Sequence, residues 1–180
     1  MPLVVVRAPG WKVRRFRRRI QSPCFMTTFS IRSAGEADRP RILALAERLA
    51  AFGPSTRPAT EVASRERRAL AEALANPAPG SALLTAEHPE LGLVGVMLLE
   101  SRRDYFTEET QAHIAILAVA REAEGQGLGR ALLKTAEDWS RVQGFRRLTL
   151  TVFIDNHRAK ELYARQGWRP ELETYYKDLT

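Results

Sequence analysis

Residues 112–120, AHIAILAVA, are apolar at every position but His113, and the turn that follows, REAEGQGLG (121–129), carries glycine at 125, 127 and 129. A short run with no polar alternation reads as a strand covered on both faces. Glycine is costly inside a regular element and useful where backbone must approach something closely. Past the turn, Leu128, Leu132, Ala136 and Trp139 recur at helical spacing, and Gly144 stands where a helix would end. A buried strand, a glycine turn and an amphipathic helix in that order define an α/β chain. They also aim a helix N-terminus, with its free N–H groups and partial positive charge, at whatever fills the turn.

The remaining elements fit around this unit. TFSIR (28–32) alternates as a short strand, and Asp38 and Pro40 start a helix carrying Ile42, Leu45, Leu49 and Phe52 until Gly53-Pro54 stops it. A second helix is expected from about Thr60 to Leu74, with the charged SRERR face solvated, ended by NPAPG (76–80). SALLTAE and LGLVGVMLLE read as strands joined by HPELG, and residues 101–111 as a polar loop. RRLTLTVFI (146–154) alternates as a strand, NHRAKELYARQG follows as a helix, and a last strand is expected near TYYKDL. The expected order is β-α-α-β-β-β-α-β-α-β, with a small extra strand around Trp168. That gives one domain with a mixed central sheet of about six to seven strands and about four helices.

The chain has 180 residues and a net charge of +7 from 28 basic and 21 acidic residues. Seven of the basic residues and no acidic one fall within residues 1–25, so the rest is formally balanced at 21 against 21. The expected domain, residues 26–180, therefore has no basic excess to hold nucleic acid, and no apolar run approaches the ~20 residues of a membrane span. Residues 1–25 read as a disordered basic arm. A targeting peptide, a polyanion-binding arm and an upstream start with Met26 as the natural one all remain open for it. The single cysteine, Cys24, excludes an internal disulfide framework, and no metal is expected. The expected location is the cytoplasm, and a homodimer is left open.

Three phosphate-binding patterns compete for the glycine turn. The dinucleotide fingerprint G-x-G-x-x-G needs glycine at 130, where Arg130 stands, and no Gly-Lys-Ser/Thr of a P-loop follows. The third pattern is the pyrophosphate turn of an acyl-CoA site, Arg/Gln-x-x-Gly-x-Gly/Ala after a buried strand, and EGQGLG (124–129) follows ILAV at its spacing. Together with the downstream strand and N-x-x-A-x-x-x-Y (156–163), the chain resembles the GNAT superfamily of acyl-CoA-dependent N-acetyltransferases. The resemblance covers about residues 27–180 and is strongest over 114–168. Glu124 is a departure: the family carries Arg or Gln there. Its carboxylate could point to solvent while its backbone serves the phosphate, or Arg130 could offset its charge.

The resemblance implies transfer of an acetyl group from acetyl-CoA, as acyl-donor substrate, to a primary amine by direct attack in a ternary complex. The amine could belong to a small molecule or a protein. It implies a cofactor opening between the splayed strands HIAILAV and LTLTVFI. The main chain of Leu117, Ala118 and Val119 would hold the pantetheine arm, with an oxyanion donor at Leu117 or Ala118. Glu124, Gly125, Gln126, Gly127, Leu128, Gly129 and Arg130 would surround the pyrophosphate, and Asn156 and Ala159 would contact the cofactor. Tyr163 would touch it too and protonate the leaving thiolate: its reference pKa of about 10 lies above the thiol's ~8.5. For the general base the candidates are His113, with an ordinary pKa of about 6.5, and Glu100 at the end of the preceding strand. His88 and His157 read as surface residues. Residues 53–81 and 101–112 would shape the acceptor pocket, with Asp104, Glu108 and Glu109 available to steer a cationic amine. The alternative reading is an acyl-CoA-binding sensor or regulatory GNAT-like domain without turnover. It would keep the turn and be free to lose Tyr163, so free-CoA release with a panel of amines separates the two.

Overall fold

A computed structural model describes residues 17–21, 28–53 and 56–179. Alternating and continuous apolar runs become one six-stranded sheet in the order β1 (Arg17–Gln21), β2 (Thr28–Ser33), β3 (Ala82–His88), β4 (Gly92–Arg103), β5 (Thr110–Val119) and β6 (Leu148–Leu150). Every neighbouring pair is antiparallel except β5–β6, which is parallel, so the sheet is mixed as expected. Among the described residues four α-helices complete the fold: α1 (Arg39–Ala50), α2 (Ala59–Ala75), α3 (Leu128–Val142) and α4 (His157–Arg165).

β4 is the most enclosed strand, with six successive buried residues from Val94 to Leu99. Its two faces carry different helices. A side chain added at Gly95 would meet Leu128 and Leu132 at 3.3 and 3.4 Å, so α3 sits directly on that glycine. Leu98 and Glu100 alternate to the opposite face, where they line a hollow together with Arg65, Ala69 and Glu72 of α2. α1 packs on α2 and on β4 and β5. The result is a three-layer stack with the core on both sides of β4. Leu128, Leu132 and Leu133 of α3 are almost wholly buried, and each contributes about 1.5–3 kcal/mol. A bidentate ion pair from Arg32 on β2 to Asp38 (2.7 and 2.8 Å) fixes the entry into α1, and the same guanidinium holds Glu87 of β3 at 3.1 Å.

Four features differ from the sequence reading. Residues 17–21, expected in the basic arm, form an edge strand paired with β2; the rest of that segment, with Cys24 and Met26, lies outside the described residues. The polar loop expected over 101–111 shrinks to a tight turn, because β4 and β5 extend along each other to Arg103 and Thr110. β6 stops at Leu150, and residues 151–154 leave the sheet instead of continuing the strand. Residues 168–179 form no strand, neither around Trp168 nor near TYYKDL: Leu172, Tyr175, Tyr176 and Leu179 are exposed, so alternation there meets no sheet face to bury against.

Candidate active site

The short β6 creates the site. β5 pairs with β6 only from Ala112 to Ile114, and beyond that point the two chains diverge. Residues 115–119 of β5 therefore face an opening with one edge of their main chain unladdered, while their other edge stays paired with β4. Ala115, Leu117 and Val119 are half-buried where a fully sandwiched strand would hide them. The opening is a cleft of about 550 Å³ passing through the sheet: Leu49 of α1, Phe52 just after it and Glu66 of α2 line it on one face, and the glycine turn, Ala159, Leu162 and Tyr163 on the other.

Each glycine of the turn has its own reason. Gly125 and Gly127 have φ of +76° and +82°, a backbone region costly for residues with a Cβ, and Gly127 is the N-cap of α3. Gly129 is needed for packing, since a Cβ there would lie 3.1 Å from Leu162 of α4. The first hydrogen bond of α3 runs from the Ala131 N–H to the Gly127 carbonyl (3.1 Å). The N–H groups at the start of the helix thus remain for an anion.

Glu124 behaves in neither of the two ways considered from the sequence. Its carboxylate accepts from Arg48 of α1 and from Arg158 of α4, and all three side chains line the cleft. Burial alone would raise its pKa; the two arginines, Arg158 foremost, outweigh it and hold the carboxyl below its ordinary value. The acidic residue thus gathers two guanidinium groups beside the turn, with Arg130 lining the cleft as a third. Arg48 also lies 5.3 Å over the ring of Phe52.

Of the residues read as cofactor-binding, Leu117, Ala118, Val119, Glu124, Gly125, Gly127, Leu128, Gly129, Arg130, Asn156, Ala159 and Tyr163 all line the cleft. Gln126 does not: its side-chain amide donates to the Glu122 carbonyl at 2.9 Å. Asn156 caps α4, its Oδ1 accepting from the Ala159 N–H at 3.1 Å, and faces the cleft as well. Tyr163 is half-buried against Trp168, and burial pushes its phenol pKa up, so it keeps its proton at neutral pH.

Both base candidates fall outside the cleft. Between Leu98 and Leu99 the β4–β5 register shifts, from Leu98 facing Ile116 to Leu99 facing Ile114. Ala115 is therefore an extra residue, and alternation on β5 reverses across it. A strict period of two would put His113 on the face of Leu117 and Val119; the bulge turns it to the other face, paired with Glu100 and Thr149. His113 Nδ1 and the Thr149 hydroxyl share a hydrogen bond of 2.9 Å, and that hydroxyl also lies 3.2 Å from the Ala112 carbonyl. Burial first, and Arg102 second, push the His113 pKa down to about 4. That is too weakly basic to draw a proton from an ammonium effectively. Glu100 pairs with Arg102 at 3.3 Å and lines a separate hollow against α2. Asp104 and Glu108 are used within their own turn, Asp104 by the N–H groups of Phe106 and Thr107 (3.1 and 2.8 Å) and Glu108 by Arg103 (2.9 Å).

Three cleft residues had no sequence signal. Arg48 and Arg158 reach Glu124 from 76 and 34 residues away, which no local pattern encodes. Glu66 sits in a run of charges, SRERR, that reads as solvated, yet it is half-buried in the cleft wall.

Residues 44–168 match the acetyltransferase (GNAT) family. The chain belongs to that family. Among curated relatives, an uncharacterized N-acetyltransferase of Methanocaldococcus jannaschii is 39% identical over 69 residues, 37% of this chain and 44% of that protein. N-acetyltransferase family 8 member 3 of Mus musculus is 26% identical over 87 residues, 48% of this chain and 38% of its own length. These matches span less than half the length of either relative. Among solved structures, a protein of Pyrococcus furiosus assigned as an acetyl transferase superposes with a TM-score of 0.68 at 24% identity, covering 84% of this chain and 99% of that one. The aminoglycoside N-acetyltransferase AAC(6')-Iy in complex with CoA gives 0.63 at 15% identity, covering 86% and 97%. At these identities the likeness is one of fold. No helix among the described residues is long and apolar enough to cross a membrane, and no cluster of His, Cys, Asp and Glu there could hold a metal.

Proposed function

We propose that the protein transfers an acetyl group from acetyl-CoA to a primary amine within a ternary complex. The observation that carries this reading is the unladdered edge of β5 leading to a glycine turn ringed by Arg48, Arg130 and Arg158. The free edge suits an amide-bearing pantetheine chain, which can hydrogen-bond to main chain as a missing strand would. The turn and the three arginines suit a pyrophosphate.

The chemistry follows from those positions. A main-chain N–H at Leu117 or Ala118 stabilises the charge that develops on the thioester oxygen. The amine lone pair attacks the thioester carbon, the C–N bond forms and the C–S bond breaks. The leaving thiolate takes the phenol proton of Tyr163, and the proton lost by the amine returns to solvent and restores the phenol. His113 and Glu100 take no part in these steps.

Calorimetric titration with acetyl-CoA, followed by a free-thiol assay over a panel of amines, tests the reading. The expected result is binding together with amine-dependent CoA release. Binding without release from any amine would favour the sensor alternative, and no binding would remove both.

A further inference from the structure

Glu66 stands apart from the other acidic groups considered for the site. Glu124, in the cleft, is held by two arginines and Glu100, in the hollow outside it, by one, whereas Glu66 has no hydrogen bond or ion pair among the described residues. It is half-buried in the α2 wall, on the face of the sheet opposite the turn and Tyr163. Two other residues lining the cleft on that side are Leu49 of α1 and Phe52 just beyond it, one aliphatic and one aromatic. Arg65, the cation that acts on it, is the adjacent residue on its own helix and exposed, and Arg48 is engaged by Glu124.

A carboxylate drawn partly out of water with no hydrogen bond or ion pair is an unfavourable arrangement by itself. Burial accordingly raises the Glu66 pKa, against the pull of Arg65. A positively charged ligand group removes that cost by supplying the missing partner. The cofactor's phosphates belong to the opposite face, among the arginines and free N–H groups, so the ligand that meets Glu66 is the acceptor.

We propose that Glu66 anchors the acceptor's ammonium group, and that the acceptor is a cationic primary amine whose adjacent carbon atoms pack on Leu49 and Phe52. This rests on the acetyltransferase reading and narrows it from any primary amine to one that arrives charged. The ammonium docks on Glu66 and gives one proton to solvent water before attack; the second, lost after the C–N bond forms, also passes to solvent, from which the Tyr163 phenol is restored. The apolar pair beside the carboxylate selects amines with a hydrocarbon flank over compact polar ones.

Two acceptors of similar size separate charge from shape: benzylamine, cationic at neutral pH, and aniline, neutral there. Replacing the carboxylate by an amide, Glu66→Gln, is expected to lower kcat/KM for benzylamine about 10- to 100-fold, the scale of a lost charge-assisted bond. Aniline should change by less than about 3-fold and the acetyl-CoA dissociation constant should stay unchanged. Glu66→Asp should recover part of the loss. An equal fall for both amines, or none for either, would overturn the proposal. If no amine is acetylated, the acetyltransferase reading fails, and the anchor is judged by calorimetric titration of benzylammonium into the acetyl-CoA-saturated protein. Binding to the native protein that is weakened about 10-fold or more in Glu66→Gln supports the anchor; absent binding, or equal binding to both, rejects it.

Discussion

At the α3–α4 end of the cleft the chain presents backbone, and at the α1–α2 end it presents side chains. The first end is a free strand edge, a run of N–H groups and two glycines with positive φ. The second is Leu49 and Glu66 on two helices and Phe52 just past the end of the first. A group common to every turnover can be met by fixed main-chain donors, whose geometry constrains the sequence tightly. A variable acceptor has to be met by side chains, which a helix can exchange without changing its path. Arg48 belongs to both ends, since it leaves α1 beside Phe52 and reaches the turn through Glu124.

The largest effect that bears on this contrast is expected at Tyr163, the one cleft side chain assigned to the bond-breaking step. Tyr163→Phe keeps the ring against Trp168 and removes the proton, so kcat should fall about 10²–10⁴-fold with acetyl-CoA affinity preserved. Pre-steady-state kinetics would show whether chemistry limits the rate; a full kcat with chemistry limiting would assign the proton to another donor.

His113 sharpens the contrast from outside the cleft. Its pKa lies near 4 in the folded protein against 6.5 when exposed, so the unfolded chain binds the extra proton over that range. Stability from this residue is complete above about pH 6.5 and is lost as pH falls toward 4, about 3 kcal/mol in all. Urea unfolding across pH 4–7 should show this acid limb, and His113→Asn should flatten it without altering the pH dependence of kcat/KM at neutral pH. A kcat/KM profile that lost a limb in the same variant would return His113 to the reaction.

Glu124→Gln restores a residue the family carries at that place and so sets the two ends against each other. If Glu124 only repels phosphate, affinity for acetyl-CoA should rise. Because it gathers Arg48 and Arg158, affinity is expected to fall about 10-fold, the worth of one charge-assisted bond. Tighter binding by calorimetry would show that the turn works by backbone alone. The smallest effect is expected at Gly125, where a side chain would meet nothing within 4 Å and only the positive φ opposes it. Gly125→Ala should cost about 1 kcal/mol of stability by thermal unfolding, and a neutral result would mean that the turn relaxes.

Legibility in the sequence followed the same division. The glycine turn, the Asn156 cap and Tyr163 are local devices with fixed spacing, and all three stand in the cleft. The His113 expectation failed because one extra residue, Ala115, reverses the side-chain alternation, and an alanine bulge leaves no mark in a run already rich in alanine. Glu66 was hidden because partial burial of one helical position depends on α1, a separate element. The strand expected near TYYKDL had alternation but pairs with no strand of the sheet.

The early parting of β5 from β6 also has a signature in time. Amide protons are slow to exchange with solvent deuterium when a neighbouring strand holds them. Along residues 115–119, those amides that point away from β4 have no strand to hold them in the ligand-free protein. They should exchange early there, beside slow amides from the same strand that point toward β4. When acetyl-CoA lies along that edge the fast set should become slow and the slow set should hardly move. The β5 peptide would then change from two exchange populations to one, a record of cofactor docking that needs neither turnover nor knowledge of the acceptor.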